Sequence, residues 1–361
     1  MKSKIILVGN GWGGSSFLKH IDSSKYDITV ISPDSNFIYT PSLVESIFKN
    51  YDVKYDSKNL NNFTHVRDRM KNLDYKNNKI NLESNIDLHY DYLVLCYGST
   101  INTFNIPGIE NAISINYDNI NKIRNKLKNL EKGKNITIIG CGPTGTELIG
   151  NILDLKKFNI NVVDGLPKPL TMYNDYISRY VLDIWKKNNI NFYFNNIVKK
   201  VDKNNIYFNN KKLNYDMLFW CGGYKISSLG ITINNKIGSY CKNGLSIDNK
   251  LRLNFKNNEN IYAIGDCIDS KYPKTAQVAY QQGKYLANSF NNNFKNTKEF
   301  KYNDKGKICY IGDNKSVYEN KYFYLSGTMV RYLDRFIKIY NTINFNHMKN
   351  FIFKNNTPKD K

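Results

Sequence analysis

Residues 5–34 read IILVGNGWGGSSFLKHIDSSKYDITVISPD. The apolar run at 5–8 is too short for a helix and stops at a glycine, which predicts a buried parallel strand. Gly9, Gly11 and Gly14 follow in G-x-G-x-x-G spacing, residues 15–20 begin a helix, and residues 28–31 form a second buried strand. Strand, glycine turn, helix and strand, in that order, is the setting in which this spacing holds a dinucleotide; a glycine-rich turn outside it is weak evidence for a ligand. The first glycine allows the tight turn, the second lets the backbone approach a pyrophosphate, and the third lets helix and strand pack closely. The anion then rests on unpaired N–H groups at the helix N-terminus, where the macrodipole favours negative charge.

The chain does this twice. Residues 135–165 read NITIIGCGPTGTELIGNILDLKKFNINVVDG, with a strand at 136–139, Gly140, Gly142 and Gly145 in the loop, a helix at 147–156 and a strand at 160–163. Asp164 closes that strand, 24 positions after Gly140. A carboxylate there accepts hydrogen bonds from an adenosine ribose and repels a 2′-phosphate, which favours NADH over NADPH because juxtaposed like charges are costly. In the first unit the corresponding end reads Ser32, Pro33, Asp34, so its acid is displaced. Two complete fingerprints imply two dinucleotides in one protein, as electron transfer between FAD and a nicotinamide requires.

At 361 residues the chain can hold two or three domains with full cores. Its 52 Lys+Arg against 31 Asp+Glu give a formal charge of +21, but the lysines are scattered and Lys, Asn, Ile and Tyr are over-used throughout, the pattern of compositional drift. No nucleic-acid-binding motif stands out, so no nucleic-acid partner is expected. Cys96, Cys141, Cys221, Cys241, Cys267 and Cys309 form no C-x-x-C and no other close pair, as expected of reduced thiols in a reducing compartment. His20, His65, His89 and His347 show no ligand spacing with cysteine, and no metal is expected. The first strand begins at residue 4 or 5, so neither a signal nor a transit peptide is expected, and no apolar run is long enough to span a bilayer.

Residues 37–43, FIYTPSL, read as a loop and short helix lying over the first loop's ligand, and residues 59–84 as strand-rich. Residues 91–98, DYLVLCYG, form another buried strand ending at Gly98; a Pro-Gly turn at 106–110 marks a domain boundary; residues 114–130 read as one amphipathic helix. Beyond Asp164 come a helix at 176–188, strand-like residues at 191–207, and DMLFWCGG at 216–223, which mirrors DYLVLCYG and supports two copies of one domain type. IYAIGD at 261–266 is a strand ending in Gly-Asp, where Asp266 is either a turn residue or a carboxylate on ribityl or ribose hydroxyls. A helix then runs from near Thr275 to Phe290, its N-terminal dipole suited to a flavin edge that becomes anionic on reduction. Gln277 and Gln281, four apart, share one of its faces, and residues 291–307 read as a polar loop. The last forty residues interleave Phe323, Leu325, Val330, Leu333, Phe336, Ile337, Tyr340, Ile343, Phe345, Phe351 and Phe353 with Arg331, Arg335, Lys338, Lys349 and Lys354. With eight basic and two acidic residues over 320–361, this reads either as one or two basic, aromatic-rich amphipathic helices lying in a membrane interface or as a helix packed on the core with a solvated basic edge.

Together these segments resemble the type II NADH dehydrogenases, the non-pumping, single-subunit NADH:quinone oxidoreductases, over nearly the whole chain. VGNGWGGSSFLKHID with FIYTPSL is similar to their FAD-binding start, IIGCGPTGTELIG with Asp164 to their NADH site, IYAIGDC and PKTAQVAYQQGKYLA to their flavin and quinone segment, and GKICYIGDNKSV with RYLDRFIKIYNTINF to their membrane-binding part. The resemblance implies an α/β chain of two Rossmann-like dinucleotide-binding domains plus a C-terminal amphipathic segment: residues 1–110 and 244–300 for FAD, the latter with the quinone-site helix, residues 111–243 for NADH, and residues 301–361 at the membrane. It implies FAD held by Gly9, Gly11, Gly14, Thr40, Pro41, Gly98 and Asp266, and NADH by Gly140, Gly142, Gly145, Glu147 and Asp164 with Gly222 near the nicotinamide. Asp34, Ala276 and Gln277 complete the cofactor-binding set. Glu147 is placed beside nicotinamide and flavin, and Gln277 and Gln281 line the quinone pocket. Departures are Asp34, where many members carry a basic residue, and Tyr280 in place of a frequent histidine; the chain is also short.

The expected activity is NADH oxidation through FAD with a membrane quinone as acceptor. The expected protein is peripheral to a membrane on its cytoplasmic face, a mitochondrial membrane being the other placement, and dimeric through its C-terminal part if it follows the family. Two other readings remain open: a soluble flavoprotein reductase with a protein or oxygen acceptor, and a nucleotide-sensing interaction protein of low turnover. Sulfide oxidation fits less well, since it uses a cysteine pair at the flavin.

Overall fold

The computed structural model describes residues 2–49, 51–295 and 297–344, with side chains through 340. Both fingerprints fold as strand, turn, helix, strand: Ser3–Val8, Trp12–His20 and Tyr26–Ile31 in the first unit, Asn135–Ile139, Pro143–Asp154 and Asn159–Val163 in the second. Both helices start a few residues earlier than the sequence suggested, straight after Gly11 and Gly142. In the second, Pro143 occupies the first turn, where its missing N–H costs no helical bond.

Each unit builds a five-stranded, all-parallel sheet with the same strand order. In the first it runs Ile261–Ala263, Tyr92–Leu95, Ser3–Val8, Tyr26–Ile31, Thr64–Val66. In the second it runs Ile113–Ser114, Met217–Trp220, Asn135–Ile139, Asn159–Val163, Asn191–Tyr193. Each unit inserts a three-stranded antiparallel sheet, Met70–Asp74 to Asp87–His89 between Thr64–Val66 and Tyr92–Leu95 in one, and Val198–Val201 to Lys211–Asn214 between Asn191–Tyr193 and Met217–Trp220 in the other. Only the edge strand beside Tyr92–Leu95 or Met217–Trp220 has a different origin: it comes from far downstream in the first unit and from just upstream in the second. The chain therefore crosses between units twice, and the crossings pair with each other, Thr100–Ile101 antiparallel to Tyr224–Lys225.

The central strands are buried on both faces, as covered parallel sheets require; Ile5, Ile6, Leu7, Ile136 and Ile138 are inaccessible to solvent. The first unit's helix Leu43–Phe48 packs on Pro143–Asp154, so Phe37, Tyr39, Val44 and Ile47 share one core with Ile136, Leu148 and Ile149. The expected helix over 114–130 is shorter. Ile113–Ser114 joins the second sheet, the Asn116 side chain accepts the Asn119 N–H to cap a single tight turn, and only Ile120–Asn129 is α-helical. Local side-chain capping at Asn116 and sheet pairing outweigh the helical period there.

After the Ala276–Asn291 helix, Lys307–Gly312, Lys315–Glu319 and Tyr324–Gly327 form an antiparallel sheet, and Thr328–Asn344 is a helix. A Cβ on Gly150 would lie 2.4 Å from the Gly312 nitrogen, so the hairpin rests directly on the second nucleotide helix. The C-terminal helix is amphipathic as expected, but Arg331 and Lys338 do not form a basic outer rim. Val330, Arg331 and Asp334 are buried, and Lys338 turns inward with them. Met329, Tyr332, Phe336, Ile339 and Tyr340 stand exposed, Met329 at 80% and Phe336 at 64%. The inversion has a cause: Glu45 and Glu147, from the two units beneath, need cations at the core face. Phe345, Lys349, Phe351, Phe353 and Lys354 lie outside the described residues, as does the side chain of Ile343. Among the described residues no helix is long and apolar enough to cross a membrane.

Candidate active site

The two glycine loops superimpose residue for residue in their contacts. Gly9 donates its N–H to the Ile31 carbonyl at 2.9 Å, and Gly140 to the Val163 carbonyl at 2.9 Å. Their φ angles are +111° and +94°, and a Cβ on either would stand 2.4 Å from a carbonyl oxygen, of Cys96 or of Cys221. A Cβ on Gly14 would lie 2.4 Å from the Gly9 oxygen, and one on Gly145 2.0 Å from the Gly140 oxygen. A Cβ on Gly11 or Gly142 would instead meet nothing within 4 Å. First and third glycines are thus forced by packing, while the second faces open space, where a pyrophosphate needs the backbone bare.

Capping points the same way. Neither Gly11 nor Gly142 offers a side chain to its helix, whereas Asn174, Ser227 and Thr275 each cap theirs. The first-turn N–H groups of the two nucleotide helices therefore remain for an anion. The residues present fit two dinucleotides.

At the first loop, Trp12 Nε1 donates to Thr40 Oγ1 at 2.8 Å, and its ring packs on Phe37 and Tyr39. This fixes the Thr40–Ser42 turn, with Pro41 at its start, against the glycine loop. Gly98 follows the fourth strand at φ +75° with open space around it. Burial raises the Asp266 carboxyl, while Lys274 and Ser99 pull it back down. Beside it, Gly265 N–H donates to Gln282 Oε1 at 2.8 Å. Gln282 is buried, and its Nε2 has no partner among the described residues, a donor left for a ligand atom. The sequence reading missed Gln282, although its place three and four residues after the buried Ala279 and Val278 marks it as core-facing. Ala276 opens the helix that Thr275 caps, and that helix presses on Trp12–His20: a Cβ on Gly283 would lie 2.3 Å from the Gly13 oxygen.

Gln277 and Gln281 lie on one face, as their spacing predicts, and both amides are committed to the following loop. Gln277 Oε1 accepts the Tyr302 hydroxyl at 2.7 Å and the Lys305 N–H at 2.8 Å, and its Nε2 donates to the Gly306 carbonyl. Gln281 exchanges both bonds with the Asn303 backbone. Tyr280, between them, is half-buried, its ring edge-on to His20 with centroids 5.8 Å apart.

At the second loop, Asp164 is buried at the strand end. Its Oδ2 accepts the Cys141 N–H at 2.7 Å and its Oδ1 the Leu166 N–H at 2.8 Å. Asp34 is not its counterpart. Register places Ser32 there, while Asp34 turns to Lys54 at 2.5 Å and to Asn36. Gly222 lies under the Trp220 indole, whose Nε1 donates to the Asn102 carbonyl at 3.0 Å.

Glu147 sits half-buried on the second nucleotide helix, and burial lifts its carboxyl to about 7, with Asp334 and Glu45 adding to the rise and Lys338 opposing it. It belongs to a cluster that only folding assembles. Arg331 pairs with Glu45 at 3.0 Å and Asp334 at 2.5 Å; Lys338 lies 3.5 Å from Glu45 and 3.4 Å from Asp334. Burial would raise Glu45, but Lys338, Lys49 and Arg331 bring it down to about 2. All six cysteines are unpaired thiols, and burial raises each of them, Cys221 and Cys267 to about 12. No thiolate nucleophile is available near neutral pH.

Two bare, uncapped nucleotide helices in one chain, the second packed against the first unit's Leu43–Phe48 helix, define a two-dinucleotide oxidoreductase scaffold rather than a single-ligand Rossmann protein. The chain belongs to the pyridine nucleotide-disulphide oxidoreductase family, which it matches over residues 3–283. It is 28% identical to a probable NADH dehydrogenase of Dictyostelium discoideum, over 90% of this chain and 82% of that one. It is also 28% identical to the mitochondrial external NADH-ubiquinone oxidoreductase 2 of Saccharomyces cerevisiae, over 79% of this chain and 62% of the yeast protein. NDH2 of Plasmodium falciparum, solved in complex with NADH, has the same fold at a TM-score of 0.86 and 26% identity, each chain covered to 94%. The resemblance to the type II NADH dehydrogenases and the expectation of FAD and NADH stand with these matches.

Proposed function

We propose that the protein oxidises NADH and passes the electrons through FAD to a membrane quinone, without moving protons across the membrane. The observation that carries this is the shared core. The Leu43–Phe48 helix, which continues from the Thr40–Ser42 turn, packs on Pro143–Asp154, bringing the first unit's ligand-covering segment onto the second unit's nucleotide helix.

When bound, FAD supplies the two-electron chemistry that joins a hydride donor to a quinone. The chain's own residues position and screen. Gly9, Gly11 and Gly14 take the FAD pyrophosphate, Thr40, Pro41, Gly98, Asp266 and Ala276 border the rest of that cofactor, and Asp34 with Lys54 rims its adenosine end. Gly140, Gly142 and Gly145 take the NADH pyrophosphate, Asp164 faces its ribose, and Gly222 keeps the backbone bare for the nicotinamide. Glu147, raised toward neutrality, holds or releases a proton beside the reacting rings according to the charges of Lys338, Asp334 and Glu45. Gln277 and Gln281 close the quinone pocket by clamping the 302–306 loop, with Tyr280, Trp12 and Tyr39 as its aromatic wall.

Membrane attachment belongs to this reading. A helix that buries Arg331, Asp334 and Lys338 and exposes Met329, Tyr332, Phe336, Ile339 and Tyr340 is suited to an apolar medium, with Tyr322, Phe323 and Tyr324 continuing the surface. We place the protein at a membrane surface, on the cytoplasmic face or outside a mitochondrial membrane; a second copy is the other occupant that face could take.

The test is stopped-flow absorbance. NADH should bleach the flavin band of the purified protein, and a short-chain quinone should restore it. In Gln277→Ala the restoration should slow at least tenfold while bleaching changes little. Equal loss of both steps removes Gln277 from the quinone side; a protein that bleaches but is reoxidised only by oxygen favours the soluble reductase.

A further inference from the structure

We propose that a pocket beneath the C-terminal helix binds the phosphate of an anionic membrane-lipid headgroup. The proposal rests on the membrane reading above and gives it a specific contact.

The pocket is about 330 Å³ in volume. Its walls come from four elements: Lys49 beyond the Leu43–Phe48 helix, Asp154 and Lys156 at the end of the second nucleotide helix, Tyr310 and Asp313 on the hairpin, and Arg331 with Arg335 on the C-terminal helix. The two acids are already satisfied. Asp154 accepts the Tyr310 hydroxyl and, at 2.8 Å, the Asp313 N–H; Asp313 pairs with Lys315. Lys49 is bound to Glu45 at 2.5 Å.

Three donors are left over. The Arg331 guanidinium spends its two terminal nitrogens on Asp334 and Glu45 and lies 3.9 Å from the Tyr310 ring centroid. Its Nε, in a side chain only 4% exposed, has no acceptor among the described residues. Lys156 and Arg335, both exposed, have no acidic partner among the described residues. A buried guanidinium N–H without an acceptor is costly, and a fixed guanidinium flanked by mobile cations matches the several acceptor oxygens of a phosphate.

The neighbourhood selects a lipid over a free anion. Arg335 lies on the helix between Tyr332 and Phe336, both exposed. A phosphate carrying acyl chains satisfies the donors and covers those rings at once; inorganic phosphate satisfies only the donors.

Flotation with phosphatidylcholine vesicles, with and without phosphatidylglycerol, tests this on the full chain. Phosphatidylglycerol should tighten binding at least about tenfold, or roughly 1.4 kcal/mol. The Lys156→Ala/Arg335→Ala double variant, checked by thermal melting to be folded, should lose most of that gain. A charge-matched control on the exposed inserted sheet of the second unit, Lys199→Ala/Lys212→Ala, should keep most of it. A gain that survives in the double variant, or falls equally in the control, overturns the site in favour of diffuse attraction. Inorganic phosphate that raises the melting temperature as much as lipid does, with no preference for phosphatidylglycerol, overturns the lipid assignment. If the wild-type chain floats with neither vesicle, the membrane reading itself has failed, an outcome distinct from loss of headgroup preference alone.

Discussion

At the end of its second strand the first nucleotide unit carries Ser32 and the second carries Asp164; seven residues past the first glycine, one has Ser16 and the other Glu147. Everything the phosphates need is duplicated, from the N–H of the first glycine to the uncapped helix. The differences fall where the nucleotides differ. At the first unit's rim, Ser32 Oγ lies 3.0 Å from His65 Nε2 and Lys54 offsets Asp34, so no uncompensated carboxylate stands there. At the second, the Asp164 carboxylate tightens the glycine loop through Cys141. Ser16 is buried and donates to the Tyr280 carbonyl at 2.6 Å, stitching two helices together, whereas Glu147 keeps a titrating carboxyl. Under the proposed function, a common backbone grips each dinucleotide, and a few side chains at the rim select which one and what is done with it.

The largest expected effect breaks the duplication at the glycines. Gly9→Ala and Gly140→Ala each force a side chain at positive φ into a carbonyl 2.4 Å away, a strain of about 3 kcal/mol or more. Gly9→Ala should purify colourless. Gly140→Ala should stay yellow and fail to bleach with NADH. Absorbance spectra of the two proteins, before and after NADH, make the check, and identical phenotypes would contradict the assignment of one cofactor to each loop.

Next in size, Asp164→Ser gives the second rim the first rim's residue. The ratio of kcat/KM for NADH over NADPH should drop at least about tenfold, since a 2′-phosphate no longer meets a carboxylate. Melting temperature should also fall, because two backbone N–H groups lose their acceptor. An unchanged coenzyme ratio would confine Asp164 to holding the loop.

The smallest effect concerns Glu147. Its folded carboxyl titrates near 7 against an ordinary 4.5, so the folded chain binds this proton more tightly than the unfolded one. Stability from this group therefore declines as pH rises from about 4.5 to 7 and levels off above. Glu45, held near 2, acts in the opposite sense, and its contribution is lost only as pH falls from 4.5 toward 2. In Glu147→Gln the melting temperature should be flatter between pH 4.5 and 7 than in wild type, by a few degrees. Parallel curves would mean that burial does not raise this carboxyl.

Much of this was legible in the sequence because it is local. Glycine spacing, short apolar strands and the DYLVLCYG–DMLFWCGG echo carry both sheets; Asp164 follows its strand directly as expected, while the strand expected over 261–266 ends at Ala263 and Asp266 lies in the tight turn beyond it. What was not legible depends on long-range packing. The period of the C-terminal helix reveals two faces but not which one meets the core, and the usual inference of apolar inside fails at Arg331 because the partner acid, Glu45, lies 286 residues away. The amides of Gln277 and Gln281 share a face, but periodicity says nothing of the loop that they hold. The displacement of Asp34 was visible as two extra residues past the strand, but its pairing with Lys54, 20 residues on, was not.

The close seat of Gly312 on Gly150 has a practical consequence. With no side chain on either to act as a cushion, the hairpin and the helix beyond it serve as a floor under the NADH loop. Trimming the chain after residue 306 to gain solubility would strip that floor, take Lys338 from Glu147 and leave Glu45 with Lys49 alone, so a shortened enzyme that reduces its flavin poorly would be reporting a damaged foundation rather than a lost membrane.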